Sequence, residues 1–197
     1  MTLTRTLARL FGVGAAMATV AAPAFTMQPA HAQGARGGVM PPTVPAALRV
    51  PMGNAAYLVG HATGVQIYTC APKGAGFGWS AATPAALLLT NDGMVIHHYA
   101  TTGPTWQAPD GSYVRGKPSA SAPSPDQRER SVPWLLLRVV GGGKGYAGGT
   151  MLSATTYVQR LDTRGGQAPA SGCDAATVGA GASMPYTANY YFYRAAL

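Results

Sequence analysis

Leu87-Leu88-Leu89-Thr90-Asn91-Asp92-Gly93-Met94-Val95-Ile96-His97-His98-Tyr99 places two apolar runs on either side of Asn-Asp-Gly. Glycine in that position supplies the positive φ of a tight turn, so the stretch predicts an antiparallel hairpin. Neighbouring residues on a strand point to opposite faces, which separates His97 from His98. A second hairpin follows by the same logic, with Thr105-Trp106-Gln107 and Ser112-Tyr113-Val114 joined through Pro109-Asp110-Gly111.

Working outward, Ala55 to Val59 and Val65 to Cys70 are apolar runs parted by His61-Ala62-Thr63-Gly64. Pro133-Trp134-Leu135-Leu136-Leu137-Arg138-Val139-Val140 has strand length and predicts a strand covered on both faces. Thr155 to Leu161 alternates loosely and is expected to stop at Asp162-Thr163-Arg164-Gly165-Gly166. In the last run, Tyr186, Ala188, Tyr190 and Phe192 share one face, and Thr187, Asn189, Tyr191 and Tyr193 the other. Ser119 to Ser131 reads as a loop, too polar for core and too rich in proline for a strand. One short helix is expected near Asp174 to Val178. Roughly eight to eleven short strands with Gly/Pro turns predict an all-β sandwich or barrel of antiparallel strands.

Composition agrees with one folded domain. The chain has 197 residues, 47% hydrophobic and 10% charged, with 26 Gly and 16 Pro. That hydrophobic content excludes a disordered chain, and the scattered Gly and Pro exclude a long helical bundle. Arg5 and Arg9, the apolar stretch Leu10 to Ala22, and Ala30-His31-Ala32 follow the order of a secretory signal peptide. Residues 1–32 are therefore expected as a leader cut after Ala32, 33–44 as a flexible, unstructured lead-in and 45–197 as one β domain. An earlier cut after Ala24 is the alternative. No stretch of the mature chain has the length of a membrane-spanning helix. The expected address is periplasmic or extracellular.

Cys70 and Cys173 are the only cysteines. In an exported protein they are expected to pair. The bridge would close a loop of about 100 residues and remove about 4–5 kcal/mol of unfolded-chain entropy.

Fourteen Lys and Arg against six Asp and Glu give +8 at pH 7. The cations are mostly single, and export argues against nucleic acid; a carbohydrate or an anionic envelope component fits better as partner. Gly141-Gly142-Gly143-Lys144-Gly145 lacks the Ser/Thr a phosphate loop needs after its lysine. Gly78-Trp79-Ser80-Ala81-Ala82 lacks the last glycine of a nucleophile elbow. Most of the acidic residues sit beside turns, so neither paired-carboxylate chemistry nor a metal or other cofactor is expected.

Val65-Gln66-Ile67-Tyr68-Thr69-Cys70, His98-Tyr99, Gly103-Pro104-Thr105-Trp106, Asp110-Gly111-Ser112, Pro133 to Leu137, Tyr157-Val158-Gln159-Arg160 and Pro185-Tyr186-Thr187-Ala188 occur in that order. Together, over residues 45–195, they resemble the exported bacterial and fungal family called domain of unknown function 3455. The resemblance implies an exported single domain and brings no established catalytic residue. The sequence itself leans to a non-catalytic ligand- or surface-binding module. His98, Tyr99, Trp106, Gln159, Arg160, Tyr191 and Tyr193 are its candidate contacts, because aromatics on both faces of the last strand exceed what a one-sided core needs. The alternatives are a hydrolytic or metal-dependent enzyme centred on His97 or His98, and an envelope structural or adhesion protein.

Overall fold

A computed structural model describes residues 38–126 and 130–196. The expected leader, its cleavage site and the start of the lead-in lie outside the described residues. Nine strands follow: β1 (Asn54–Lys73), β2 (Gly76–Trp79), β3 (Thr83–Thr90), β4 (Val95–Ala100), β5 (Pro104–Gln107), β6 (Tyr113–Ala122), β7 (Trp134–Gly143), β8 (Thr155–Gly165) and β9 (Gly181–Ala195). All pairings are antiparallel.

The sheet closes on itself. β1 pairs with β3 along one edge and with β9 along the other, from Asn54↔Ala195 to Thr69↔Gly181. The remaining strands pair in chain order, so β1 and β3 to β9 form an eight-stranded ring, with β2 a short hairpin on the end of β1. One side-chain cluster takes a buried residue from every strand of that ring: Ala62, Leu88, Ile96, Trp106, Val114, Leu137, Val158 and Phe192. The all-β expectation therefore holds, and the sheet is an antiparallel ring packed through its middle like a closed sandwich.

Both hairpins form where glycine permits them. Gly93 (φ 82°) donates its N–H to Thr90 O at 3.0 Å, and Gly111 (φ 79°) donates to Ala108 O at 2.9 Å. Three expectations need correction. His61 to Gly64 does not interrupt β1. A Cβ on Gly64 would lie 2.3 Å from Ala85 O, so this glycine lets two strands approach rather than ending one. Residues 119–122 belong to β6, which reaches them through register shifts at Arg115/Gly116 and Pro118/Ala120. β8 runs past Asp162, which takes φ 51° inside another register shift.

A second cluster covers the outside of the ring. Val59, Trp134, Leu136, Leu161, Tyr191 and Tyr193 pack against Leu48, with Val39, Val44 and Val50 beside them. Residues 39–50 thus lie over the outer face of β7 to β9. They include an unanticipated 3-10 turn at Ala46–Leu48; the expected one forms at Ala175–Thr177, capped by Asp174. This covering explains why β7 and β9 are apolar on both faces.

Cys70 and Cys173 are joined, with Cα atoms 5.3 Å apart. The bond fastens the β8–β9 connection to the end of β1, where Cys70 also exchanges backbone hydrogen bonds with Ala180 and Gly179 at 2.9 Å. Replacing both cysteines by serine is expected to cost about 2–5 kcal/mol in urea unfolding. An unchanged midpoint would mean that the backbone ladder alone holds this segment.

Candidate functional site

Inward-facing residues of the ring do not all join the apolar cluster. Gln66 from β1, His98 from β4, Trp106 from β5, Arg160 from β8 and Tyr190 from β9 line one cavity of about 170 Å³. Its apolar wall comes from Pro84, Pro104, Pro118, Leu135 and Leu137. Eight-stranded barrels have room either for side chains alone or for one small ligand, and this volume lies at that boundary.

The aromatic wall is ordered by stacking. His98 lies parallel to Trp106, with centroids 4.6 Å apart and planes 1° from parallel. Tyr190 meets both edge-on at 5.0 and 5.7 Å. Gly116 makes this possible, because a Cβ there would lie 3.0 Å from the Trp106 ring and 3.2 Å from Leu137 Cβ.

The polar groups have an uneven set of partners. His98 Nδ1 donates to Thr105 O at 2.9 Å, which fixes the neutral tautomer with Nε2 as lone-pair nitrogen. Burial holds the His98 pKa down at about 3, against the opposing effect of the Thr105 bond, with a smaller lowering from the Arg160 charge. Arg160 donates through Nε and Nη2 to Pro133 O at 3.2 and 2.9 Å. Tyr186 and Tyr190 place their hydroxyls 3.3 Å apart, and burial raises both above the usual phenol range while Arg160 pulls them back.

Among the described residues, three buried side-chain N–H groups have no hydrogen-bond partner: Gln66 Nε2, Trp106 Nε1 and Trp134 Nε1. The residues that carry two of them, Gln66 and Trp106, line this one cavity. Gln66 does lie close enough to Tyr186 to favour its ionised form. No acceptor, however, meets Nε2 with bonding geometry, and the geometry decides what is satisfied. A buried donor left unpaired costs about 1–3 kcal/mol, so such atoms need a reason.

The seven expected contacts do not form one group. His98, Trp106 and Arg160 come together at the cavity. Gln159, Tyr191 and Tyr193 face the other way, into the second cluster, where the two tyrosines are 8% and 7% exposed. Gln159 is occupied there, donating to Leu48 O at 2.7 Å and accepting from the Tyr193 hydroxyl. Tyr99 stands on the outer face, in a groove of about 230 Å³ with Gln107, Tyr113, Lys144 and Tyr146. Gln66 and Tyr190 were not among the candidates. The even spacing from Tyr190 to Tyr186, and from Gln66 to Tyr68, was the signal that pointed them inward.

The turn and loop expectations hold at Asp110. Its carboxylate accepts from Ser112 N, Ser112 Oγ and Met151 N at 2.9, 2.6 and 2.8 Å. Partial burial raises its pKa, but these bonds outweigh that and hold the carboxyl below its usual range. Gly145 and Gly149 pass so close that a Cβ on either would strike Asp110 O, which accounts for the glycine-rich stretch. His97 is exposed and His98 buried, as their opposite faces require. His61 is held by Asn189 and Asn91 at 2.7 and 3.0 Å. Among the described residues no group of three His, Cys, Asp or Glu could hold a metal ion.

The buried histidine generates a pH prediction. Unfolded, His98 takes up a proton near pH 6.5; folded, it does not until about pH 3. Stability is thus full above pH 6.5 and falls as pH drops toward 3, by up to about 4–5 kcal/mol from this residue. In urea titrations at pH 7 and pH 4, His98→Gln should lose markedly less stability than the natural chain. Equal losses in both would show that His98 is not the group responsible.

Residues 89–194, more than half of the chain, match the model of the family described as Protein of unknown function (DUF3455). The matched stretch carries His98, Trp106, Arg160 and Tyr190, while Gln66 and Cys70 precede it. No curated protein and no solved structure matches the chain. The chain belongs to the DUF3455 family.

Proposed function

We propose that this protein is an exported, non-catalytic binding module that takes a small ligand into the cavity of its β ring. The supporting observation is the pair of buried, unpartnered donors, Gln66 Nε2 and Trp106 Nε1, on one aromatic-walled cavity. A cavity that only had to be filled would do better with a phenylalanine in place of Trp106. Catalysis draws less support. A general base works best with a pKa near the operating pH, and His98 is held far below it. Its Nδ1 also bonds a backbone carbonyl rather than a carboxylate.

A second site on the outer face fits a carbohydrate. Tyr113 is half-exposed and Tyr146 fully exposed beside Lys144 and Gln107, an arrangement of flat rings and polar groups suited to a sugar. Tyr146→Ala should abolish glycan-array binding without moving the unfolding midpoint. Unaltered binding would remove the outer groove from consideration.

The cavity is tested on protein exported by its own host, by native and denatured mass spectrometry. The expected result is a non-covalent adduct in the native spectrum alone, lost in Ala82→Phe, which obstructs the exposed end of the cavity wall. An adduct retained by that variant would place binding elsewhere. The denatured mass also tests export, through an N-terminus at Gln33.

A further inference from the structure

We propose that the ligand of this cavity is a small monocarboxylate with an apolar or aromatic body, its anionic end held by Arg160, Gln66 Nε2 and Trp106 Nε1. The inference rests on the cavity being a binding site, and it follows from the inventory of what the lining offers.

Donors outnumber acceptors. Gln66 Nε2 and Trp106 Nε1 have hydrogens and no partner, and Trp106 Nε1 can never accept. Arg160 commits Nε and Nη2 to Pro133 O, and the guanidinium also lies close enough to the Tyr190 hydroxyl to favour its ionised form. The lining residues include no Asp or Glu, and Arg160 has no ion-pair partner among the described residues. A half-buried guanidinium in the same wall as two residues with unpartnered N–H groups matches a group that only accepts and carries one negative charge.

Other ligand classes match less well. Each hydroxyl of a sugar brings a hydrogen that needs an acceptor, and this lining has few to give. Phosphate is smaller and more highly charged than the site suggests. One cation faces it, and the rest of the wall is three prolines, two leucines and stacked rings. Those surfaces gain only from an apolar or flat body. Size sets the last limit. About 170 Å³ corresponds to roughly five or six waters at about 30 Å³ each, which is room for an acid the size of benzoate or hexanoate.

The test follows the Trp106 indole N–H of the ¹⁵N-labelled protein, assigned by its loss in Trp106→Phe. The probes are benzoate, hexanoate, the neutral isostere benzamide, and inorganic phosphate, with affinities from calorimetry. Benzoate or hexanoate should shift the Trp106 signal and bind at least about tenfold more tightly than benzamide. Phosphate should leave the signal in place. Arg160→Gln should cost the acids at least about tenfold and leave benzamide unaffected, which also certifies that the variant is folded. Arg160→Lys should restore part of the loss. Benzamide matching benzoate, with no effect of Arg160→Gln, would overturn the carboxylate and leave cavity binding standing. Phosphate outcompeting the acids would overturn the apolar body. If none of the probes moves the Trp106 signal, both the carboxylate and the cavity as its site are overturned.

Discussion

Closure of the sheet by β1 and β9 is the constraint on which the rest of the molecule depends. β1 spends one edge on β3 and the other on β9, so the main ring has no long open edge to solvate or protect. The same closure turns one face of all eight strands toward a common interior. It brings Gln66, from the start of the fold, beside Tyr190, near its end. No local run of sequence could assemble that neighbourhood. The disulfide acts at the same seam, tying the approach to β9 onto the last residues of β1.

A closed interior makes every inward polar group expensive. Most of those groups are satisfied within the wall: His98 on Thr105 O, Tyr68 on Gly166 O, Tyr186 on Tyr190. Gln66 and Trp106 are the inward exceptions, and they lie on the one stretch of wall that also carries a cation. Scattered defects of packing would have no reason to share an address with a guanidinium. Unspent donors, positive charge and stacked rings instead coincide among the residues of one wall.

Much of the fold was legible because turns and strand faces are local chemistry. Asn91-Asp92-Gly93 and Pro109-Asp110-Gly111 need glycine at positive φ whatever surrounds them, and the two faces of Tyr186 to Tyr193 follow from the pleat. Cys70 and Cys173, the only cysteines, had only one way to pair. What stayed hidden was non-local. Gly64 resembles a break until Ala85 is seen pressing on it, and Ser119 to Ala122 resemble a loop until β7 offers a partner across a bulge. The aromatics of the last strand exceed what one core needs because they are divided between two. Residues 39–50, which cover the outer cluster, gave no sign of that role beyond their scattered valines and Leu48.

That division also reassigns the residues suspected of binding. Gln159 and Arg160 are neighbours in sequence and face opposite sides of one strand; so do Tyr190 and Tyr191. The outward members are locked, Gln159 onto Leu48 O and the Tyr193 hydroxyl, Tyr191 beneath the N-terminal segment. The inward members line the cavity. Fixing the outer face of a strand fixes the angle at which its inner side chains project, since both hang from the same backbone. The second cluster is therefore the support of the first: it packs against the outer faces of β8 and β9, behind Arg160 and Tyr190. The aromatics outside the ring thus fix the cavity wall through the strands they brace, without lining it themselves.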